Sequence, residues 1–268
     1  MAMPRLGMGT WHMGEGAAGR AVEVDALRLG LDLGMRLIDT AEMYGDGGAE
    51  EVVGEALRGR RDEAFVVSKF YPQNASRRRL ESACAASLAR LGIERLDLYL
   101  YHWRGRVPLE ETVETLEGLV AAGRIARWGV SNFDTADLQE LATVPGGENV
   151  AANQVLYNLA RRGIEFELLP WCAGRRIDVM AYSPLDEGPL AHHPAVAAVA
   201  KRLGLLPAQV AIAWLLRRPQ LAVIPKASTA EHVRANAACG GIRLDDEALV
   251  ALDCAFPPPR AKQPLQVI

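Results

Sequence analysis

Four residues of this sequence could together protonate a carbonyl oxygen as it gains negative charge: Asp39, Tyr44, Lys69 and His102. A lone tyrosine is a poor acid, with an ordinary pKa of about 10. A nearby ammonium favours the phenolate and so makes the phenol a better proton donor. A carboxylate beside that lysine holds it charged and in place. A histidine close by can hydrogen-bond the reacting oxygen and orient it. The sequence offers no Ser or Cys nucleophile with a base at known spacing, and no metal-ligand pattern. The adjacent His192 and His193 read as loop residues, because neighbours in sequence seldom face the same way.

Each member of this set follows a strand-like run. Asp39 closes the apolar pair Leu37–Ile38, and Tyr44 comes five residues on, in a loop holding Gly45, Gly47 and Gly48. Phe65–Ser68 runs into Lys69, and Leu96–Tyr101 runs into His102. In a parallel barrel the C-terminal strand ends all open on one face, where active sites are built.

The elements that would position them alternate along the chain. Strands are predicted over 6–10, 37–39, 65–69, 96–102, 126–130, 149–155, 177–181 and 221–225. Helices are predicted over 22–33, 50–57, 76–91, 108–122, 166–173, 194–203, 207–217, 230–238 and 245–254, with a further one from a cap at Asp134 or Thr135 to Ala142. In the first helix Val22, Ala26, Leu29 and Leu33 predict the buried side, and Gly34 a stop. Eight strands alternating with helices predict parallel βα units. An open doubly wound sheet would carry GxGxxG or a P-loop after its first strand. Here Gly7-Met8-Gly9 runs on to Trp11-His12 instead. The expected fold class is therefore α/β, a (β/α)8 TIM barrel forming a single domain over 1–268. The tail from Pro257 onward is polar and proline-rich, which predicts an extended segment on the surface.

A chain of 268 residues can bury one large core, and 50% hydrophobic with 24% charged residues is an ordinary soluble balance. A net charge of −3 argues against nucleic acid or an anionic membrane as partner. No apolar run is long enough to span a bilayer. Met1–Leu6 lacks the apolar stretch of a signal peptide. Cys84, Cys172, Cys239 and Cys254 are scattered, which predicts reduced, packed thiols and a cytoplasmic setting. A monomer is expected. Four of the 30 basic residues are lysines, and two of them, Lys69 and Lys226, close strand-like runs. A lysine there suggests that a compact, tunable ammonium is wanted where arginine would not serve.

In order and spacing, several segments resemble the aldo-keto reductases over almost the whole chain. They are Gly9-Thr10-Trp11, Asp39-Thr40-Ala41-Glu42-Met43-Tyr44, Val67-Ser68-Lys69, Leu98–Trp103, Gly129–Phe133, Asn153-Gln154, Ala181–Leu185 and Ile224-Pro225-Lys226. The chain is most similar to the prokaryotic branch that includes the diketogluconate and methylglyoxal reductases. The resemblance implies a (β/α)8 barrel and reduction of aldehydes and ketones with NADPH (NADP+ in reverse). It implies Tyr44 as general acid, Lys69 and Asp39 as the pair that tunes it, and His102 as substrate orienter. It implies that Ser131, Asn132 and Gln154 bind the nicotinamide carboxamide and that Tyr182 stacks on its ring. Gly9, Thr10, Ser183 and Leu185 would complete the cofactor site, and Trp11 and Trp103 would line the substrate pocket.

The junction around Lys226 is suited to an anion, since free N–H groups and a helix dipole point outward there. Lys226 adds a full charge, and Ser228 and Thr229 add hydroxyls. The resemblance implies that Lys226, Ser228, Thr229 and Asn236 grip the adenosine 2′-phosphate. His232 stands where many relatives have Arg, and Ala227 where many have Ser. A histidine is charged only below about pH 6.5 unless perturbed, so a moderate NADPH preference is expected, stronger in acid. Two other departures are an absent N-terminal hairpin, predicting a less covered barrel floor, and a short C-terminal tail. That tail predicts an open pocket for small, polar carbonyls. Competing readings are a cofactor-binding regulatory module without significant turnover, and an aldolase using Lys69 or Lys226 in a Schiff base.

Overall fold

The computed structural model describes residues 2–16 and 19–268. Among these the strands are β1 Gly7–Gly9, β2 Leu37–Asp39, β3 Phe65–Phe70, β4 Leu98–Tyr101, β5 Trp128–Ser131, β6 Ala152–Leu156, β7 Asp178–Tyr182 and β8 Leu221–Val223. The helices are α1 Arg20–Asp32, α2 Gly48–Ala56, α3 Arg77–Leu91, α4 Leu109–Ala121, α5 Thr135–Leu141, α6 Leu168–Arg175, α7 Pro194–Leu203, α8 Pro207–Leu216, α9 Ala230–Ala238 and α10 Asp246–Ala255. Every strand pairs in parallel with the next in sequence. Parallel bridges Leu6–Val223 and Gly9–Lys226 join β8 to β1 and close the barrel. The eight-stranded barrel read from the sequence is the fold.

Strand periodicity divides the core in two. Leu37, Phe65, Val67, Leu98, Leu100, Ala152, Met180, Ala222 and Ile224 fill the interior. Their neighbours Ile38, Val66, Tyr99, Val130, Val155 and Val179 belong to the layer between barrel and helices. Successive side chains point to opposite faces of a sheet. The same count therefore sends Asp39, Lys69, Ser131, Gln154 and Tyr182 inward, Gln154 from the middle of its strand and the others from the last or next-to-last position of theirs.

The structure corrects several expectations. The first strand follows only a short irregular lead among the described residues, yet the floor is not bare, because Met3 packs against the interior cluster. Helix α1 turns a different stripe inward. Val24, Ala26, Leu27, Gly30 and Leu31 are buried, whereas Val22 is 57% and Leu33 39% exposed. Both stripes have helical period; Gly30 decides between them, since its missing side chain is where Met8 packs. The strand expected from Asn149 begins at Ala152, behind a single 3-10 turn over Gly147–Asn149. Asp134 caps α5 through a reciprocal pair with Asp137. Cys84, Cys172 and Cys239 are free and buried, but Cys254 is exposed rather than packed. His193 caps α7 by accepting the Ala195 N–H, and no cluster with metal-ligating capacity occurs among the described residues. No single described helix is long and apolar enough to cross a membrane.

The tail does more than lie on the surface. Lys262 pairs with Glu167 at 2.7 Å, Gln263 packs on Gly163, and the Ile268 backbone hydrogen-bonds the Tyr182 phenol oxygen. It runs across the loop after β6 to the strand-end face and borders one side of the mouth.

Candidate active site

Lys69 is the centre of the site. Its side chain is fully buried at the end of β3, and its three N–H donors have three acceptors. These are Asp39 Oδ2 at 2.8 Å, the Thr40 carbonyl at 2.9 Å and the Tyr44 hydroxyl at 3.0 Å. Burial works against the ammonium, but the Asp39 carboxylate and the Tyr44 oxygen outweigh it and raise the lysine above its ordinary value. A lysine so held is a permanent cation, which removes the Schiff-base reading for it.

Tyr44 is 9% exposed, with the Trp11 ring edge-on at 4.9 Å and the His102 ring centroid at 6.0 Å. Sequence reasoning expected Lys69 to make this phenol more acidic. Burial instead raises it above the ordinary value, with Asp39 adding to the rise, while Lys69 pulls the other way and loses. The phenol is therefore firmly protonated at rest. Lys69 acts on the phenolate that forms when the proton leaves, not on the resting acid.

His102 follows β4 and is 6% exposed. Burial, and secondarily Lys69, lower its pKa to about 2, so the imidazole is neutral. Its Nδ1 is buried without a partner. The ring can orient a substrate oxygen but carries no imidazolium proton to give.

The expected cofactor residues form a second group along β5–β8. Asn132 has a left-handed backbone (φ 58°). Its amide donates to the His102 carbonyl at 3.1 Å and its oxygen accepts from the Tyr182 hydroxyl at 3.0 Å. Ser131 donates to the Gln154 carbonyl at 2.9 Å. Burial lifts the Tyr182 phenol to about 12, so it too stays protonated. Gln154 also reaches the Lys69 network, because its amide donates to Asp39 Oδ1 at 2.7 Å. Thr10 is buried and donates to the Asp39 carbonyl at 3.0 Å, and a side chain at Gly9 would meet the Ile224 carbonyl. Ser183 has positive φ at 47°, and Leu185 is half-buried against the outer layer.

Further out, Lys226 is exposed and forms no ion pair among the described residues. Thr229 caps α9 by accepting the His232 N–H, with Ser228 just before it and Asn236 buried about two turns in. A neutral amide and hydroxyl set beside an aromatic ring, and a free cation at a helix start, fit the two ends of a nicotinamide dinucleotide phosphate. Trp11 and Trp103, 41% and 37% exposed, stand at the rim beside Tyr44 and His102.

Sequence reasoning missed three features here. The Thr40 carbonyl completes the lysine's set. Gly45, Asp46 and Gly47 all have left-handed backbones after Tyr44, a run that the glycines alone could have signalled. Glu50, in the first turn of α2, is fully buried, bonded to Ser68 at 2.5 Å and Arg90 at 2.6 Å.

The model of the Aldo/keto reductase family matches residues 5–255. Methylglyoxal reductase YeaE of Escherichia coli is 50% identical over 273 residues, spanning 100% of this chain and 96% of that protein. The human aldo-keto reductase family 1 member A1 is 32% identical, spanning 87% of this chain and 80% of that protein. A crystal structure of an aldo/keto reductase from Klebsiella pneumoniae in complex with NADP and acetate superposes with a TM-score of 0.98 at 51% identity, covering 100% and 96% of the two chains. With this match along nearly all of its length and a barrel that places Asp39, Tyr44, Lys69 and His102 at one face, the chain belongs to the aldo/keto reductase family.

Proposed function

We propose that this NADPH-dependent oxidoreductase reduces aldehydes and ketones to alcohols with Tyr44 as the proton donor to the carbonyl oxygen. The reading rests on one observation: a buried phenol 3.0 Å from a lysine whose remaining donors are fixed by Asp39 and Thr40. NADPH, when bound, supplies the hydride that reaches the carbonyl carbon. Neutral His102 hydrogen-bonds the oxygen and sets its direction. Tyr44 gives its proton as negative charge develops, and the phenolate left behind lies against the Lys69 ammonium, which stabilises it. Asp39, fixed by Gln154, keeps that ammonium in place. Ser131, Asn132 and Tyr182 would receive the nicotinamide, and Trp11 and Trp103 the substrate.

The substrate class we infer is small, polar carbonyls such as methylglyoxal, supported by the half-identical Escherichia coli methylglyoxal reductase and by the tryptophan rim. Loss of reduced-nicotinamide absorbance with NADPH and methylglyoxal tests it. A protein that binds NADPH tightly and turns over no aldehyde would instead be a regulatory module. A monomer is the state we propose, and three buried free thiols support a reducing, cytoplasmic setting.

Lys226, Ser228, Thr229, His232 and Asn236 would hold the 2′-phosphate. NADPH should be preferred over NADH, since an exposed lysine beside a helix start favours an anion. His232→Arg, which adds a permanent charge, should tighten NADPH and leave NADH unchanged in fluorescence titrations. Equal affinities for the two cofactors would reject the phosphate site. Unchanged NADPH affinity in the Arg variant would reject only the role of His232.

A further inference from the structure

We propose that Glu50, with Ser68 and Arg90, is a positioning residue for the proton transfer: it clamps the Tyr44 loop to both faces of strand β3. The inference rests on Tyr44 and Lys69 being the acid and its partner. Ser68 and Lys69 are consecutive on β3, so their side chains leave opposite faces of the sheet. Lys69 points into the barrel and holds the Tyr44 hydroxyl at 3.0 Å. Ser68 points to the helix layer and donates to Glu50 Oε1 at 2.5 Å. Glu50 Oε2 accepts from Arg90 Nε on α3 at 2.6 Å, and Arg90 reaches Ser87 at 3.4 Å. Glu50, Ser68 and Ser87 are all fully buried.

Within the loop only Asp46 has a side chain longer than a methyl group. Between Tyr44 and Glu50 lie Gly45, Asp46, Gly47, Gly48 and Ala49, of which the first three have left-handed backbones (φ 58°, 51° and 90°). A glycine-rich stretch has little side-chain packing of its own and a wide choice of backbone conformations. Its course therefore rests on its ends, Tyr44 inside the barrel and Glu50 outside, and on what packs against its backbone. Arg90 adds to the restraint, since its side chain lies where a Cβ at Gly47 would be, 2.6 Å away. Gly48 in turn abuts the Gly14 backbone, which ties in the loop after β1 that carries Trp11. One buried carboxylate thus fixes the acid's loop, the lysine's strand and the rim against each other. Displacement of a reacting group by about 1 Å can cost about a hundredfold in rate.

The test uses the full-length protein with NADPH and methylglyoxal. Ser68→Ala removes one hydroxyl and leaves Glu50 paired with Arg90, so the fold is kept. Turnover should fall about tenfold while NADPH affinity stays within about twofold, as expected for misplaced chemistry with an intact cofactor site. The high-pH limb of the turnover profile should also move. Titratable groups facing the Tyr44 phenol are Lys69 on β3, Asp39 on β2, His102 after β4 and Tyr182 on β7. Of these Lys69 alone pulls the phenol down. Loosening its contact raises the phenol further, the acid stays protonated to higher pH, and the limb shifts upward. Ser68→Thr keeps the hydroxyl and should restore both rate and limb. Glu50→Gln, which keeps an acceptor for Ser68 but loses the charge facing Arg90, should shift the limb in the same direction.

A lowered rate with an unmoved limb would make the cluster merely structural and overturn the proposal, as would wild-type turnover in both Ser68→Ala and Glu50→Gln. Tyr44→Phe is assayed alongside. If it turns over, the acid assignment fails and takes the inference with it. If it is inactive while Ser68→Ala behaves as wild type, the inference alone fails.

Discussion

Tyr44→Phe should lower carbonyl reduction by at least about a hundredfold, within the range of about 10²–10⁴ that a positioned general acid contributes. That loss corresponds to about 3–5 kcal/mol of transition-state stabilisation. The substitution removes one oxygen and little else. The ring keeps its edge contact with Trp11 and its place beneath the rim. Lys69 keeps two of its three acceptors, Asp39 and the Thr40 carbonyl, so the buried ammonium stays paired. NADPH affinity should remain within about twofold, because the lost interaction is made with the transition state and the proposed cofactor contacts come from other strands. No neighbour can replace the proton. His102, lowered to about 2 by burial and by Lys69, is neutral across the working range, and Lys69 is raised and fixed. The pH dependence of the wild type carries the same sign. A phenol raised by burial remains protonated through neutrality, so reduction should hold there and fall only at strongly alkaline pH. Steady-state turnover with methylglyoxal and fluorescence titration of NADPH check both halves. A Phe variant that kept a tenth of wild-type turnover would show that Tyr44 is not the acid.

Strand order was legible because strand-like and helix-like segments alternate, and the face carrying the chemistry because titratable residues close the strand-like runs. Leu37 and Asp39, Val67 and Lys69, Leu100 and His102 are pairs two apart, the first filling the interior and the second lying above it. Helix boundaries were legible to within a few residues where Gly92, Gly123 or Pro194 punctuate the chain. Which side of α1 faces the barrel was not, since stripes from Val22 and from Val24 have the same period and only contact with Met8 separates them. The direction of the Tyr44 shift was misread for a related reason. Proximity to Lys69 can be guessed from spacing, but the larger contribution is burial, which depends on the assembled barrel. The Gln154 amide has two N–H donors, and nothing local to residue 154 says that Asp39, 115 positions away, takes one of them. The burial of Glu50 was not legible because its partners Ser68 and Arg90 are 18 and 40 positions distant.

Lys69→Met should be comparably inactive, and less stable as well. Methionine fills much the same buried volume but leaves the Asp39 carboxylate without its cation, held only by the Gln154 amide at 2.7 Å. Breaking a buried pair by removing one partner costs about 3–5 kcal/mol, so thermal unfolding should come roughly 10 °C earlier for a chain of this size. The catalytic loss has a separate origin: the phenolate formed when Tyr44 gives up its proton would have no charge beside it, which opposes transfer at the transition state. Lys69→Arg should not restore activity. The site has no solvent exposure, and its three acceptors surround a single nitrogen at 2.8–3.0 Å. A planar, larger guanidinium cannot place its donors around one point in that way. Stability and chemistry are separated by Asp39→Asn combined with Lys69→Met. With both charges gone, no unpaired ion remains, and most of the lost unfolding temperature should return. Turnover should stay at or below about a hundredth of wild type, because Tyr44 still lacks its cation. Calorimetry and steady-state kinetics on the three variants decide the matter. Full activity in Lys69→Arg would show that the site needs a charge but not the ammonium geometry. Recovery of turnover along with stability in the double variant would show that Lys69 only holds the barrel's upper face together.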